Sequence, residues 1–408
     1  MSAIARRRFL QSGLGLGGAL LLSACGGGGD GEPSSSAPTP TPTPTPAPAP
    51  AECRNSFAGG QRLDDATFVG ESERPLEQAF GAGLDGRLFT DLSKLAPTNL
   101  ITPSEAFYIR TRYPDLLVPE APWRISIAGL PGSAADLFLD ELLPRVVGQG
   151  TQLMECSGNT RTASFGLLSS ADWTGIRLLD AIDRFGIPAG ATRLLVSGFD
   201  QYSQPSERST PGASWIFTFD EIEQSGAFLA TALDGAPLPA DHGAPVRLVV
   251  PGWYGCTCIK WVNELRFVGE DEPATSQMLE FASRTHQNGT PRLARDYLPA
   301  EIDLAAMPVR VEKWQVSGAI RYRVVGIQWG GKARTDRLEI RFGEGSWQPI
   351  CTTSFSQTPW AMWEYEWRPP ATGTYAIALR AADRSIRTRR LDIGYYLREV
   401  AIDQVSGE

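Results

Sequence analysis

The sequence predicts an α+β region over residues 61–307, followed by a β-sandwich over residues 308–408. In the first region, β-like runs alternate irregularly with stretches typical of short helices, and no steady βαβ rhythm is visible. After residue 308, short runs that alternate apolar and polar residues are separated by Gly, Pro and Asp turns; these predicted strands are Ala319–Val325, Arg337–Phe342, Ala361–Trp367 and Thr374–Arg380. Alternation with a period of two buries one face of each strand, which is typical of a sandwich.

Short helices are predicted at three places in the first region. For the first of these, Glu73–Phe80, Ser72 is placed to cap the helix and Pro75 falls in the first turn, where proline is tolerated. A second helix begins near Ser133, and the third covers Leu178–Ile182. Strands of this region are predicted at Trp123–Ile127, Arg193–Ser197 and Val246–Val250.

Composition and charge exclude some classes of function. Hydrophobic residues make up 42% and charged residues 21% of 408 residues, so the chain can bury a core and has room for two domains. The net charge of -8 argues against a nucleic-acid partner, which needs a concentrated basic surface. A small anionic substrate is compatible with this charge, because a few arginines in a cleft can bind one locally.

Residues 1–25 are predicted to be an export signal. Arg6–Leu10 resembles the signal of the twin-arginine exporter, and the apolar run Leu14–Leu22 is too short to remain as a membrane span. Leu22–Cys25 resembles a bacterial lipoprotein cleavage box, in which Cys25 would receive the lipid. We therefore expect a periplasmic, membrane-anchored lipoprotein that is exported folded; an ordinary secretory peptide is the alternative.

Residues 26–60 are predicted to be a disordered Gly/Pro-rich linker. Four glycines open this segment, and Pro38–Pro50 alternates proline with threonine or alanine. Alternating proline favours extended polyproline II, which rises about 3.1 Å per residue. The linker would hold the globular region away from a lipid anchor.

The chemistry is predicted to centre on Cys156. A strand-like run, Thr151–Met154, delivers this cysteine into a Ser-Gly-Asn turn that is followed by Arg161. Turn amides and a nearby cation stabilise a thiolate, and thiolates suit redox metals. From these residues alone, Cys156 is a metal ligand, a nucleophile with His242 as its base, or an inert buried thiol.

An ordered set of segments resembles the sulfite oxidase family of molybdopterin-dependent oxidoreductases. Glu155–Arg161 is similar to the Cys-Ala-Gly-Asn-Arg-Arg segment of that family, and Asp241–Arg247 is similar to its Asp-His-Gly-Phe-Pro-Val-Arg segment. Further similarity lies in Ile101–Ser104, Phe107–Arg110, Asp172–Ile176, Val250–Gly255 and Ile259–Trp261. Because the pieces occur in the family's order from Ile101 to Trp261, the set is specific although no single piece is.

The resemblance implies a molybdenum–molybdopterin cofactor with Cys156 as the protein ligand of the metal. It also implies Cys156, Arg110 and Arg161 as catalytic residues. The residues that it implies for cofactor binding are Arg110, Cys156, His242, Arg247 and Lys260. These side chains offer the donors that an anionic cofactor needs, and arginine provides a bidentate fork.

The C-terminal region, with Trp329–Gly331, Trp347 and Trp363–Trp367, resembles the family's dimerisation domain, which implies an immunoglobulin-like sandwich and a homodimer. The family's reaction transfers an oxygen atom and two electrons to or from a small substrate, here sulfite or another anionic or sulfur compound. No haem module is visible, so an external carrier such as cytochrome c is expected.

The chain departs from the family's pattern around the substrate. Thr160 and Thr257 stand where the family has arginines, and Pro211 stands where it has a substrate-side tyrosine. Fewer positive charges and a lost tyrosine leave open a reductive enzyme of the same family, such as a sulfoxide reductase, or a non-catalytic binding module that keeps the fold. Residues that could compensate are Tyr202, Arg208 and Arg112.

Overall fold

The computed structural model describes residues 57–332, 335–352 and 359–406. The predicted signal, the lipidation site Cys25 and the linker up to residue 56 lie outside these described residues. Within them, every helix is too short or too polar to cross a membrane.

The described chain is mostly β-structure with few, short helices, arranged in sheets of five strands. Its N-terminal strands are β1 (Gln61–Ala66), β2 (Phe68–Val69), β3 (Arg124–Ala128), β4 (Ala135–Phe138), β5 (Val147–Glu155) and β6 (Leu168–Arg177). They are followed by β7 (Arg193–Gly198), β8 (Ser214–Thr218), β9 (Phe228–Leu233), β10 (Ala236–Pro237), β11 (Arg247–Val249) and β12 (Val262–Val268). The α-helices are α1 (Leu139–Leu142), α2 (Leu178–Ala181), α3 (Phe219–Ser225), α4 (Ser276–Phe281) and α5 (Arg389–Asp392).

Two sheets build the first region and carry the loops of the candidate site. One sheet has the order β10-β9-β6-β5, with β11 also paired to β9. The other has the order β4-β3-β12-β7-β8, in which β3 and β12 run parallel. Buried strand residues such as Leu168, Leu229 and Val262 are fully covered, so these sheets form a rigid core behind the loops.

Two further sheets form the C-terminal region. Its strands are β13 (Ala305–Val316), β14 (Ala319–Trp329), β15 (Leu338–Phe342), β16 (Gln348–Pro349), β17 (Cys351–Thr352), β18 (Trp360–Trp367), β19 (Gly373–Ala381) and β20 (Arg398–Ile402). The sheets have the orders β1-β13-β14-β18-β17 and β16-β15-β19-β20-β2. They pack against each other through aromatic rings: Phe342 stacks on Trp367 at 4.1 Å, and Tyr375 meets the same indole edge-on at 5.1 Å.

The N-terminal strands β1 and β2 belong to these C-terminal sheets. β1 pairs with β13, and β2 pairs with β20. The division expected between residues 307 and 308 falls inside β13, so the two regions share strands and a continuous core. The cofactor-side loops can therefore be supported from both regions.

The helix predicted at Glu73–Phe80 is wrong. This segment is a loop with a turn at Leu76 and Glu77, and it is held by the Glu77 N–H, which donates to the carbonyl of Phe89, and by Phe80, which exchanges backbone hydrogen bonds with Arg87. The helix at Leu178–Ile182 is confirmed by α2. The helix expected to begin near Ser133 is wrong at its start, because Ala135–Phe138 pairs with β3 as strand β4 and the single turn α1 begins only at Leu139. The predicted strands agree with β3, β7 and β11 and, in the C-terminal region, with β14, β15, β18 and β19.

Candidate active site

Cys156 is the first residue after β5 and lies in a turn that is held on several sides. Its N–H donates to Leu167 and its carbonyl accepts from Asn159. The Asn159 side chain in turn accepts from the Leu167 N–H at 3.0 Å. The sulfur accepts the Gly158 N–H at 3.4 Å, so a backbone amide already faces the atom where negative charge would reside.

Cys156 opens into a cleft that also receives most of the other predicted site residues. The cleft lies between the Cys156 turn, the segment around Tyr108 and the loops on either side of β11. The predicted residues that line it are Arg110, Cys156, His242, Arg247 and Lys260. Side chains that are far apart in sequence therefore share one concave surface.

Arg247 is a buried cation without an acidic partner. It is 4% exposed, and its guanidinium donates to the carbonyls of His242 and Cys258 and to the sulfur of Met154. Its Nε is buried and has no partner, and the indole of Trp173 lies 5.5 Å away. Burial lowers the pKa of Arg247.

Lys260 provides a second cation of the same kind. Its Nζ donates to the carbonyls of Thr111 at 2.5 Å and Asp241 at 2.9 Å, and it lies 4.3 Å from the ring centre of Trp261. Burial, followed by the repulsion of Arg247, lowers the pKa of Lys260 well below its usual range. Two neighbouring cations held by neutral carbonyls create a site that favours an anion.

His242 is buried beside these cations and is neutral at pH 7. Burial lowers its pKa to about 4, and the charges of Arg247 and Lys260 add to this shift. Its Nε2 lies 3.0 Å from the carbonyl oxygen of Ser104, which can only accept, so Nε2 carries the proton and Nδ1 is free to accept. Phe107 packs edge-on against the ring at 5.4 Å and fixes its orientation.

Arg110 reaches the cleft with the help of a second arginine that the sequence did not single out. Arg110 donates to the hydroxyl of Ser209 at 2.8 Å. Arg87 donates to the Arg110 carbonyl and to Ser209 at 3.4 Å, and it is anchored on the carbonyls of Leu84 and Gly86. Burial, with Arg110 nearby, lowers the pKa of Arg87 to about 10. Arg87 therefore positions Arg110.

Arg161 does not line the cleft. Its guanidinium donates to the carbonyl of Leu397 at 3.0 Å and lies 3.7 Å from the carboxylate of Glu399. The structure therefore places Arg161 between the turn and the segment that leads into β20. Its partners lie more than 200 positions away in the chain, and no local pattern around Cys156 points to them.

Arg112, Tyr202 and Arg208, named above as residues that could compensate for the family's missing groups, do not line this cleft. Arg112 pairs with Asp241 at 3.1 Å, and Tyr202 donates to the Arg112 carbonyl at 3.2 Å. Both line a neighbouring pocket. Arg208 is exposed on the surface.

The C-terminal region supports the Cys156 turn from beneath. Glu155 is fully buried and accepts hydrogen bonds from Trp329 at 2.9 Å and Tyr396 at 2.8 Å. Arg390 donates to the carbonyl of Ser157 at 2.7 Å, and Tyr395 donates to that of Asn159 at the same distance. Sequence reasoning did not single out Arg390, Tyr395 or Tyr396, because their role depends on contacts between distant segments.

The donor set fits an anionic cofactor of the molybdopterin type. A phosphate-bearing ligand needs cations and N–H donors that are already desolvated, and Arg247, Lys260 and His242 provide them. The orphaned Nε of Arg247 is a polar atom that a ligand would satisfy. At the other side of the cleft, the sulfur of Cys156 is the soft ligand that a redox metal needs.

Comparison with known proteins agrees with this chemistry. Residues 112–276 match the family model described as the oxidoreductase molybdopterin binding domain. Sulfite oxidase of Macaca fascicularis is 26% identical over 302 residues, which cover 68% of this chain and 55% of that protein. Sulfite oxidase of Gallus gallus is 25% identical, covering 72% of this chain and 69% of the relative. The chain thus spans about half the length of the mammalian relatives that it matches.

A solved structure shows the same fold. The sulfane dehydrogenase SoxCD from Paracoccus pantotrophus superposes with a TM-score of 0.58 and 17% identity, covering 87% of this chain and 96% of that chain. The family match includes the Cys156 turn, His242, Arg247 and Lys260. The chain is therefore similar to the sulfite oxidases among the molybdopterin-dependent oxidoreductases, and its residues 112–276 match a molybdopterin-binding oxidoreductase domain.

Proposed function

We propose that this chain oxidises or reduces a small sulfur-containing anion such as sulfite by transfer of an oxygen atom and two electrons. The observation that supports the proposal is one cleft lined by Cys156 and by two buried cations, Arg247 and Lys260, whose side chains donate to neutral groups. When bound, the cofactor supplies the oxygen-atom and electron transfer, while the protein binds and orients.

Different residues of this chain would bind the metal, the anionic end of the cofactor and the substrate. Cys156 would bind the metal through its sulfur, helped by the Gly158 amide that faces it. Arg247 and Lys260 would neutralise the anionic end of the cofactor, and neutral His242 would accept a hydrogen bond at Nδ1. Arg110, fixed by Arg87 and Ser209, would attract the substrate anion.

The first experiment measures molybdenum and pterin in protein purified from a host that makes the cofactor, followed by sulfite oxidation with ferricyanide as acceptor. We expect about one metal per chain and turnover that Cys156→Ser abolishes, because oxygen matches this soft site poorly. Absence of both metal and pterin would favour a non-catalytic binding module. Activity on a sulfoxide without activity on sulfite would reverse the direction of the reaction.

A cysteine hydrolase is a weaker reading of the same residues. A nucleophilic cysteine needs a base within hydrogen-bonding reach. Among the described residues, the hydrogen bond to the sulfur of Cys156 comes from Gly158, whereas His242 is bonded to Ser104.

We further propose the setting of this enzyme from its sequence signals. The twin-arginine motif and Cys25 favour a periplasmic lipoprotein that folds around its cofactor before export. A cytochrome c would exchange electrons with it. The C-terminal sheets would be immunoglobulin-like and would form the interface of a homodimer.

A further inference from the structure

Arg284 lies beside Cys156 although nothing in the sequence pattern connects them. It ends a helical turn, Ala282–Arg284, that continues from α4. A methyl group built on Gly158 would lie 3.5 Å from the Arg284 Nη1 and 3.8 Å from the Cys156 sulfur. The guanidinium and the sulfur therefore flank the same small space next to the turn.

Arg284 is an exposed residue, and its guanidinium has no polar partner among the residues that the structure describes. Within residues 57–332, 335–352 and 359–406, its side chain makes no hydrogen bond or ion pair, and its contact is with the ring of Phe281 at 5.4 Å. Phe281 and Glu280 line the cofactor cleft, so this helical segment forms part of its rim. An exposed cation at the mouth of a cleft can bind an anion without the cost of burying a charge.

A buried arginine fixes Arg284 relative to Cys156. The Arg390 Nη2 donates at 2.7 Å to the carbonyl of Ser157 and at 2.7 Å to that of Arg284. Arg390 is 5% exposed, and its guanidinium lies 4.4 Å from the ring centre of Tyr254. One immobile group thus joins the backbones of the two turns, and the start of the Arg284 side chain is held at a set distance from the sulfur.

Among the described residues, the other groups around the Cys156 sulfur provide no flexible cation on this side of the cleft. Arg161 faces Leu397 and Glu399, and Thr160 donates or accepts within a pair with Thr162. Thr257 is fully buried and neutral. A small anion bound near Cys156 would have two neighbouring cations: Arg110, which lines the cleft, and Arg284, which flanks Gly158.

We propose that Arg284 is a substrate-binding residue that selects small oxyanions at the rim of the cleft, with Arg390 as the residue that positions it. This role rests on the proposed function, and Arg284 is the cation that would make the cleft specific for oxyanions. A guanidinium offers paired N–H donors that match two oxygens of an oxyanion. Neutral substrates would gain nothing from this contact.

The test compares Arg284→Gln with wild type and with the control Arg292→Gln in molybdenum-matched protein. Arg292 is an exposed arginine of the following loop, and its backbone carbonyl accepts from Ala274. Two quantities are measured: kcat and KM for sulfite, and the equilibrium affinity for inorganic sulfate by calorimetry. Loss of one charge-assisted hydrogen-bond pair should raise KM and weaken sulfate binding by about tenfold or more, with little change in kcat.

Two further variants separate the role of the Arg284 guanidinium from a general effect of removing a positive charge. Arg284→Lys, which keeps the charge and loses the fork, should recover part of the sulfate affinity, and Arg292→Gln should behave as wild type. Unchanged KM and unchanged sulfate affinity in Arg284→Gln would overturn the inference, as would a fall in kcat alone. If wild type does not oxidise sulfite, the proposed function fails, and the sulfate titration still decides the role of Arg284.

Discussion

Two buried arginines show how differently this chain treats charge in two of its regions. Arg398, between the C-terminal sheets and the N-terminal segment, donates to both carboxylate oxygens of Glu71 at 2.6 and 2.5 Å and to the carbonyl of Pro308. Arg247, in the cleft, donates to carbonyls and a thioether and keeps its Nε unpaired. Both side chains are nearly fully buried.

A buried arginine that is fully paired with a carboxylate has a structural role. A buried arginine that lacks such a partner indicates a place where an anionic ligand binds. The C-terminal region repeats the compensated pattern at Glu312, whose carboxylate is bonded to Arg310, Trp314 and Arg323. In the cleft, neither Arg247 nor Lys260 forms a hydrogen bond or ion pair with a carboxylate of the described residues, although Asp241 and Asp200 lie near Lys260. The predictions below test this contrast.

The largest loss of stability is expected when a buried arginine that is fully paired loses its carboxylate partner. Glu71→Gln leaves the charge of Arg398 buried and unpaired, so the free energy of unfolding should fall by about 3–5 kcal/mol. Chemical denaturation measures this change. As a control, Asp403→Asn removes an exposed partner of Lys313 and should cost less than about 1 kcal/mol. Equal effects of the two variants would contradict the contrast between buried and exposed pairs.

Acid should destabilise the cleft through His242. Its pKa is lowered to about 4 in the folded protein, against about 6.5 when unfolded, so the unfolded chain binds the proton first. The stability that depends on neutral His242 is fully present above pH 6.5. As the pH falls towards 4, the free energy of unfolding should decrease by about 3 kcal/mol in total for this reason. Comparing the pH dependence of unfolding in wild type and His242→Gln isolates it.

His286, whose pKa is also lowered to about 4, contributes equally to both proteins and cancels in that comparison. Parallel curves for wild type and His242→Gln between pH 4 and pH 6.5 would show that His242 is not held neutral by its surroundings.

A smaller loss is expected at Glu155, which joins the two regions. Burial raises the pKa of Glu155, and its carboxylate is bonded to Trp329 and Tyr396 with Arg390 at 3.8 Å. Glu155→Gln keeps the shape but removes the charge that faces Arg390, so unfolding free energy should fall by about 1–3 kcal/mol. The exposed Glu223→Gln provides the matched control in denaturation experiments, and a loss of the same size there would argue against a special role for Glu155.

The smallest effect, and of opposite sign, is expected in the cofactor-free protein at Arg247. Arg247→Met removes an uncompensated buried charge, so unfolding free energy should stay equal or rise by about 1 kcal/mol. The same variant should purify with little molybdenum and pterin, as measured by elemental and pterin analysis. A strong loss of apoprotein stability would place Arg247 with Arg398 as a structural charge.

Much of the fold was predictable because strand patterns are local. The alternating runs in the C-terminal region correspond to β14, β15, β18 and β19 within a few residues. The error at Glu73–Phe80 has a physical cause: the segment lacks a continuous apolar stripe, and pairing with Arg87 and Phe89 decides its conformation. The pairing of β1 and β2 with C-terminal strands is likewise set by contacts that leave no local signal.

The residues of the candidate site that belong to the sequence motifs were predictable. The motif residues Arg110, Cys156, His242, Arg247 and Lys260 line one cleft. The direction of the Arg161 side chain was not predictable, because Leu397 and Glu399 determine it. The same holds for Arg284, which reaches Cys156 only through the packing that Arg390 imposes.

The hydrogen bond from Arg390 to Ser157 joins residues 233 positions apart. During synthesis, the turn that carries the Cys156 sulfur leaves the ribosome long before Arg390, whose hydrogen bond supports that turn. The pocket can therefore acquire its final shape only after translation has passed that later segment, and we expect the cofactor to be inserted as one of the last steps of maturation.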